Sequence, residues 1–401
     1  MIDKIVVSYD YRDSIYSRFM NNYNPFFFVM DLPVHNFNKK LFRNLKKQDI
    51  KIKMISHDEN ANTKRKLNYM ERSIEDADLV FHDTFRFAMD LKESEWKIEY
   101  RKAIRDMIHS KFLNKSHFLD KELNYASKQN AIKIAKKYNF PVPKSWTIDE
   151  YFDLDMPLPV VLKKNESACG SGVYFIEKKK QIKKFFNEKL YDGKIIECLP
   201  CPKREDFEVQ EFIECPSNHF TQYRIFVLGD GTILGSVLNV SRNRKDENKV
   251  KSEEGPFGPG KSYFNCVDSP LYLGIRSIIS NHANGGYQIP FDRNERTKHI
   301  LSYYDEVLAE HGYKDQIDPK LNPKLKNLAK RLAKKFSKYG VLYCGQDWMQ
   351  NKKGDFYFLE INPSPATDMF NALYNYGWGD SNSSADIAAE KLAETIRNYN
   401  I

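Results

Sequence analysis

Near the carboxyl end of the 401-residue chain, Asp347 stands in the run VLYCGQDWMQ, and Glu360 and Asn362 stand in DFYFLEIN. Period-two geometry puts Glu360 and Asn362 on one side of a strand. Lys352, Lys353 and Gly354 lie between the two runs and read as a turn, so antiparallel pairing brings Asp347 opposite that side. Two carboxylates and one amide oxygen are hard donors, suited to Mg²⁺ joined to phosphates and water and unsuited to zinc. The plain alternative is a set of ordinary polar positions on a hairpin.

A second group lies about 190 residues earlier, where LPVVLKKNESACGSGVYFIE runs from a strand through lysine and a polar loop to Gly170, Ser171, Gly172 and another strand. Small residues let backbone amides surround phosphate oxygens, and a lysine at a strand end adds a point charge. The lysine precedes the glycines and no helix receives the loop at once, which excludes the G-x-x-x-x-G-K-[ST] type. Taken alone, a glycine loop of this kind is more often merely a hairpin turn. A third group, VQEFIE, places Gln210 and Glu211 at the end of an apolar strand and Glu214 three residues on. Such a hinge can read adenine through backbone groups while the carboxylate beyond it accepts ribose hydroxyls; otherwise Glu214 is a solvent-facing residue on a half-buried strand.

The elements that must position these groups fall into three parts. In the first hundred residues, short apolar runs at 4–8, 26–30, 49–56 and 77–82 alternate with lysine-rich stretches of helical spacing, which predicts a small α/β domain with a parallel sheet of about four strands. Residues 93–138 read as helices, ending before Pro141, and PKSWTI as a strand or loop. Strands are expected at 158–164, 172–177, 207–214, 220–229 and 231–240, mostly antiparallel, with an amphipathic helix at 178–190. Residues 243–296 are charged and then punctuated by Gly and Pro, an exposed loop or lid. Helices follow at 297–311 and 322–338, then the two strands carrying Asp347 and Glu360, then a helix at 384–398. The expected units are 1–118, 119–218 and 219–401, with 243–296 inserted in the last.

Composition narrows the chemistry. The formal charge of +9, from 63 Lys+Arg against 54 Asp+Glu, reads as a modest basic excess spread thinly over a solvated surface, and no nucleic-acid-binding motif accompanies it. No stretch approaches the roughly 20 apolar residues that span a bilayer, so a cytoplasmic protein without a membrane partner is expected. Six cysteines are too sparse for a disulfide scaffold. Cys198 and Cys201 lack a second pair to complete a zinc site.

In this order, Lys163, the glycine loop at 167–172, VQEFIE, QYRIFVLGDG, Asp347 and FLEINPSP resemble the ATP-grasp fold. The likeness is to the branch of glutathione synthetases, RimK-type glutamate ligases and D-alanine ligases, and it covers roughly residues 120–400. It implies an α/β (α+β composite) ATP-grasp fold behind an N-terminal parallel-sheet domain. It also implies ATP- and Mg²⁺-dependent joining of a carboxylate to an amine through an acyl-phosphate, with Mn²⁺ as a substitute ion. The substrates would be small molecules or peptides, and a homodimer is the family expectation. By resemblance, Lys163 contacts the α and β phosphates with Lys144 beside it, and Ser167, Gly170, Ser171 and Gly172 belong to the phosphate lid. Lys164 competes with Lys163 for its role. Gln210, Glu211, Phe212 and Ile213 lie along adenine, and Glu214 takes the ribose. Arg224 and Arg242 serve the transferring phosphate or acyl-phosphate, and Asp347, Glu360 and Asn362 bind Mg²⁺. The alternatives are phosphoryl transfer alone, or a nucleotide-binding scaffold without turnover.

Further candidates are Tyr9, Asp10, Arg12, His82, Asp83 and Arg86, beyond the carboxyl ends of parallel strands where acceptors bind in open α/β sheets. Lys261, Arg276, Ser364, Thr367 and Asp368 are weaker substrate contacts, and His219 reads as an edge histidine satisfied by backbone or water.

Overall fold

The computed structural model describes residues 2–10, 43–57, 63–82, 103, 107, 110–111, 116–118, 128–154, 156–165, 173–186, 204–244, 276–277, 287–291, 305–313, 319–339, 341–362 and 384–398. Three sheets organise them. Sheet A holds β1 (Lys4–Asp10), β2 (Lys51–His57), β3 (Leu79–His82) and β4 (Ser116–Phe118) in the order β2-β1-β3-β4, all parallel. Both of its faces are covered, which is why β1 and β3 read as continuous apolar runs. Val6, Ile55 and Val80 pack on Met70 and Ile74 of α1 (Thr63–Glu75). Ile5 and Leu79 turn the other way, toward Leu228, Leu342 and Tyr343 and toward Leu392, Ala393 and Ile396 near the carboxyl terminus. The strand β4 falls inside a stretch expected to be helical; at three residues it is too short to show a period. The apolar run 26–30 lies outside the described residues.

After α2 (Lys128–Lys137) comes sheet B, ordered β11-β7-β6-β8-β5. It comprises β5 (Ser145–Trp146), β6 (Val160–Lys164), β7 (Val173–Ile176), β8 (Phe207–Glu211) and β11 (Arg276–Ser277), joined by antiparallel ladders. Alternation sorts its side chains: Val160, Leu162, Ile176, Phe207 and Val209 pack on α3 (Ile148–Asp153) and α4 (Lys179–Phe185). Val161, Lys163, Phe175, Glu208 and Gln210 share the other face by register. The helix α3, missed in the sequence, begins with a reciprocal cap in which Thr147 accepts from the Glu150 amide and Glu150 accepts from the Thr147 amide.

Sheet C is antiparallel, ordered β12-β10-β9-β13-β14. Its strands are β9 (His219–Leu228), β10 (Ile233–Arg244), β12 (Tyr287–Pro290), β13 (Tyr343–Gln350) and β14 (Phe356–Asn362). Both expected turns form. Asp230 caps the β9–β10 turn at the Thr232 amide, and Gly231 sits at φ +92°, where a Cβ would also crowd Lys330 and Lys334. Asn351 Oδ1 accepts the Lys353 and Asp355 amides in the β13–β14 turn, with Gly354 at φ +83°.

The largest core lies under sheet C. Tyr223, Ile225, Val227, Leu238, Trp348, Phe356 and Phe358 pack on α2, α5 (Asp305–Glu310) and α6 (Pro323–Ser337). Asn322 caps α6 at the Lys324 amide, and Pro323 begins the helix where a missing N–H costs nothing. The final helix is α7 (Ser384–Arg397). Residues 243–296, expected as a loop or lid, contribute β11 to sheet B and β12 to sheet C. Among the described residues, no helix is long and apolar enough to cross a membrane.

Candidate active site

The pairing of β13 with β14 sets Asp347 opposite Glu360 and Gly345 opposite Asn362. One detail decides which way these side chains face. Phe356 and Phe358 are buried in the core, so strict alternation would send Glu360 and Asn362 into the core as well. Instead Asp347 pairs with Glu360 while Trp348 pairs with Phe358, leaving Leu359 as an extra residue. This bulge reverses the phase: Ile361 enters the core, and Glu360 and Asn362 share the opposite face of the sheet with Asp347.

The neighbouring strand β9 pairs Arg224 with Asp347. Arg224 donates from Nε and Nη2 to the two carboxylate oxygens of Asp347 at 2.8 and 2.7 Å. The Asp347 side chain is 1% exposed, so this is a buried, two-pronged pair whose fork geometry offsets part of the desolvation cost. From sheet B, the Lys163 ammonium reaches Glu360 Oε2 at 3.6 Å. Of the two candidate lysines, Lys163 is buried and crosses to sheet C, and Lys164 is half-buried. Two cations and two carboxylates therefore meet where sheets B and C face each other.

The hinge residues lie beside this cluster. Glu211 exchanges contacts with Lys144, donating its amide to the Lys144 carbonyl at 2.8 Å and accepting the Lys144 amide on Oε2 at 3.1 Å. The Lys144 side chain is exposed. Gln210 is buried, and among the described residues its Nε2 has no partner, a donor left open on the same face as Lys163. Phe212 packs edge-on against Phe175 and near Phe220, Ile213 is buried, and Glu214 is exposed and pairs with Lys352 Nζ at 2.6 Å.

The donors fit magnesium in kind: two carboxylates and an amide oxygen on adjacent strands, with no thiolate or imidazole among them. Among the described residues no three His, Cys, Asp or Glu gather into a metal-binding group, so a metal here would rest on Asp347 and Glu360 with Asn362. Ser167, Gly170, Ser171 and Gly172 lie outside the described residues, as do Arg12, Asp83, Arg86, Cys198, Cys201, Lys261, Ser364, Thr367 and Asp368. Of Tyr9, Asp10, His82, Arg242 and Arg276 only the backbone place is described, at the carboxyl ends of β1 and β3, in β10 and in β11. His219 Nδ1 donates to the Ser241 carbonyl at 2.8 Å, the backbone-satisfied edge histidine expected.

Sequence inspection overlooked His311. Its ring lies between Thr221 Oγ1 at 3.0 Å and the Tyr223 hydroxyl at 3.1 Å, and the Tyr223 hydroxyl donates to Gln350 Oε1 at 3.1 Å. This network stands on the core side of β9, directly behind the strand that carries Arg224. Burial pushes the Tyr223 phenol well above its ordinary value, so the hydroxyl stays a donor.

No protein-family model matches the chain. A curated protein, the coenzyme gamma-F420-2:alpha-L-glutamate ligase of Methanocaldococcus jannaschii, is 28% identical over 126 residues, 29% of this chain and 39% of that protein. The chain thus spans about two fifths of that relative's length. Among solved structures, the macrocyclase MdnC of Microcystis aeruginosa MRC bound with the precursor peptide MdnA is 13% identical, with a TM-score of 0.48 over 99% of this chain and 100% of that one. The ATP-grasp ligase PsnB, complexed with a phosphomimetic variant of its minimal precursor, Mg and ADP, is 10% identical, with a TM-score of 0.49 over 98% and 99%. A RiPP-associated ATP-grasp ligase of Chryseobacterium gregarium, in complex with ADP and a leader and core peptide, is 13% identical, with a TM-score of 0.47 over 100% and 98%. What the chain resembles, in sequence and among solved structures, is a set of ligases that includes ATP-grasp enzymes.

Proposed function

We propose that this protein is an ATP- and Mg²⁺-dependent ligase that joins a carboxylate to an amine through an acyl-phosphate. The observation that carries this is the four-charge cluster between sheets B and C, in which Lys163 and Arg224 stand against Glu360 and Asp347. The units on this reading are 1–118, 119–218 and 219–401; the strands of sheet A all fall in the first, whereas α2 packs under sheet C and β11, from 276–277, joins sheet B.

The cluster is internally neutral, and each charge becomes useful when its partner is replaced. Triphosphate between the sheets would offer Lys163 and Arg224 new anions, releasing Glu360 and Asp347. Those carboxylates, with Asn362, would hold magnesium, which supplies positive charge to the β and γ phosphate oxygens when bound. Gln210 Nε2, lacking a partner, and the backbone from Glu211 to Ile213 would border adenine. Glu214 would exchange Lys352 for the ribose hydroxyls, with Lys144 and the Ser167, Gly170, Ser171 and Gly172 loop on the phosphates.

A substrate carboxylate oxygen then attacks the γ-phosphorus and ADP leaves. Lys163, Arg224 and Arg242 stabilise the oxygens on which charge grows. The amine nitrogen attacks the acyl carbon, inorganic phosphate leaves, and the amine gives up a proton. Neither step needs a side-chain nucleophile; the chain holds reactants in line and excludes water. The test is ADP release across a matrix of amino acids, short peptides and sugar acids, followed by mass measurement of the product. Release that requires both a carboxylate and an amine supports ligation. Release with one substrate alone, leaving it phosphorylated, refutes ligation in favour of phosphoryl transfer.

A further inference from the structure

The surface on the far side of sheet C has no part in the chemistry above. There α2 and α6 lie side by side over the largest core, sharing it through Ala131, Ile134 and Ala135 on one and Leu325, Ala329, Leu332 and Phe336 on the other. Every charged residue in the two helices is basic, and Lys330 and Lys334 run along the flank of α6 beside the β9–β10 turn. Lys128, Lys133, Lys136 and Lys137 fall in α2; Lys324, Lys326, Lys330, Arg331, Lys334 and Lys335 fall in α6, and Lys338 caps it. These are eleven of the 63 Lys+Arg and none of the 54 Asp+Glu, so the rest of the chain would hold 52 cations against 54 anions. The two helices thus carry a local excess of positive charge as large as that of the whole chain.

Three of the cations are held in place. Lys335 lies over the Tyr138 ring at 4.7 Å, Arg331 over Phe140 at 5.5 Å, and Lys137 donates to the Tyr339 hydroxyl at 3.2 Å, joining the two helices into one surface. The Tyr138 hydroxyl and then Lys137, with Lys338 adding to them, hold the Tyr339 phenol below its ordinary value. Among the described residues only one of these cations meets an acid, Lys324 with Asp355 at 2.8 Å. Concentrated like charge of this kind repels itself and is relieved by a bound anion.

We propose that the outer face of α2 and α6 docks an extended, acidic segment of a partner protein. Lys326, Lys330, Lys334 and Lys338 recur every fourth residue, about 6 Å apart along the axis. An extended peptide with an acid at every second residue presents carboxylates about 6.6–6.8 Å apart, a close match. A duplex strand carries a phosphate about every 3.4 Å of axis, about twice as dense. The face is also lysine-rich, with Arg331 the single arginine among the eleven, where bidentate phosphate recognition favours arginine. Membrane insertion lacks an anchor here, because the exposed large apolar residues among those described, Tyr69, Leu154 and Leu158, lie on other elements.

The experiment uses the full chain and a fluorescein-labelled peptide of alternating glutamate and serine, followed by anisotropy at low and physiological ionic strength. Parallel arms hold an oligothymidylate of equal charge and vesicles of phosphatidylcholine with phosphatidylserine. The expected result is saturable peptide binding that weakens with salt and falls at least about tenfold in K330Q/K334Q/K338Q, with weaker binding in the other arms. The triple variant keeps most of the side-chain stems, and hydrogen exchange of the wild-type chain with peptide bound locates the contact without any variant. Protection within residues 128–138 and 323–338 is expected. Undiminished binding to a folded triple variant, protection elsewhere, absence of peptide binding, or tighter binding of oligothymidylate or vesicles would overturn the proposal. None of these outcomes depends on whether the cleft ligates, since the face lies on the other side of sheet C.

Discussion

The two faces of sheet C are made from the same strands and meet opposite demands. Toward α2 and α6 the sheet presents Tyr223, Ile225, Val227, Trp348, Phe356 and Phe358, and every polar group of the His311 network there has a partner. Toward sheet B it presents Arg224, Asp347, Glu360 and Asn362, with Arg224 paired to Asp347 and Glu360 to Lys163. The first face tolerates polarity when it is saturated. The second concentrates charge that another ligand can take over. What separates them on β14 is a single extra residue, Leu359.

Exchanging the two residues that follow it is the most severe way to break the comparison. E360I/I361E sends a carboxylate toward the core and an apolar side chain toward the cleft. The expected outcome is loss of ADP formation together with destabilisation of more than about 4 kcal/mol in denaturant unfolding, from an unpaired buried charge. Deleting Leu359 instead removes the bulge but leaves Phe358 facing the core and Glu360 facing the cleft opposite Asp347, so it should be the milder change; equal damage from both would show that the face Glu360 occupies is not what matters.

Next come the charges themselves. D347N and E360Q preserve shape and should each lower Mg²⁺-dependent ADP formation by about 10²–10³ or more. Circular dichroism should still report a folded chain. Unchanged turnover in both would reject the metal assignment.

The opposite face predicts a stability effect with little chemistry in it. H311A strands the Thr221 hydroxyl, removes one partner from the Tyr223 hydroxyl while leaving Gln350, and should cost about 1–3 kcal/mol by urea midpoint, with the Michaelis constant for ATP moving little. A large rise in that constant at unchanged stability would mean that the network belongs to the cleft.

The smallest effect concerns Cys344, on the core face three residues before Asp347. Burial pushes its thiol up to about 12, so it stays protonated and inert through neutral pH. Iodoacetamide at pH 8 should label it only as fast as the chain opens; prompt stoichiometric labelling under native conditions would show the core face to be looser than drawn.

Much of this was legible in the sequence because it is local. The turn residues Asp230, Gly231, Asn351 and Gly354 fixed the hairpins, and the hairpin spacing placed Asp347 against Glu360. Alternation along LPVVLKK turns only one of Lys163 and Lys164 inward, the family likeness pointed to Lys163, and Lys163 is the more buried of the two. The bulge escaped because Leu359 is apolar like its neighbours; the one clue is Ile361, out of phase with Phe356 and Phe358. TIDE, the cap of α3, was a local signal overlooked. Other features depend on distant partners. The strands β4, β11 and β12 are too short to carry a period, His311 gains meaning only beside β9, and lysines separated by almost 190 residues become one surface only when α2 meets α6.

The most direct measurement is a structure of the chain with a non-hydrolysable ATP analogue and Mn²⁺ as the anomalous marker. The account predicts triphosphate between sheets B and C, Lys163 turned from Glu360 to a phosphate oxygen, and metal density on Asp347, Glu360 and Asn362. Nucleotide bound elsewhere, with the Lys163–Glu360 and Arg224–Asp347 pairs intact and no metal beside them, would contradict it.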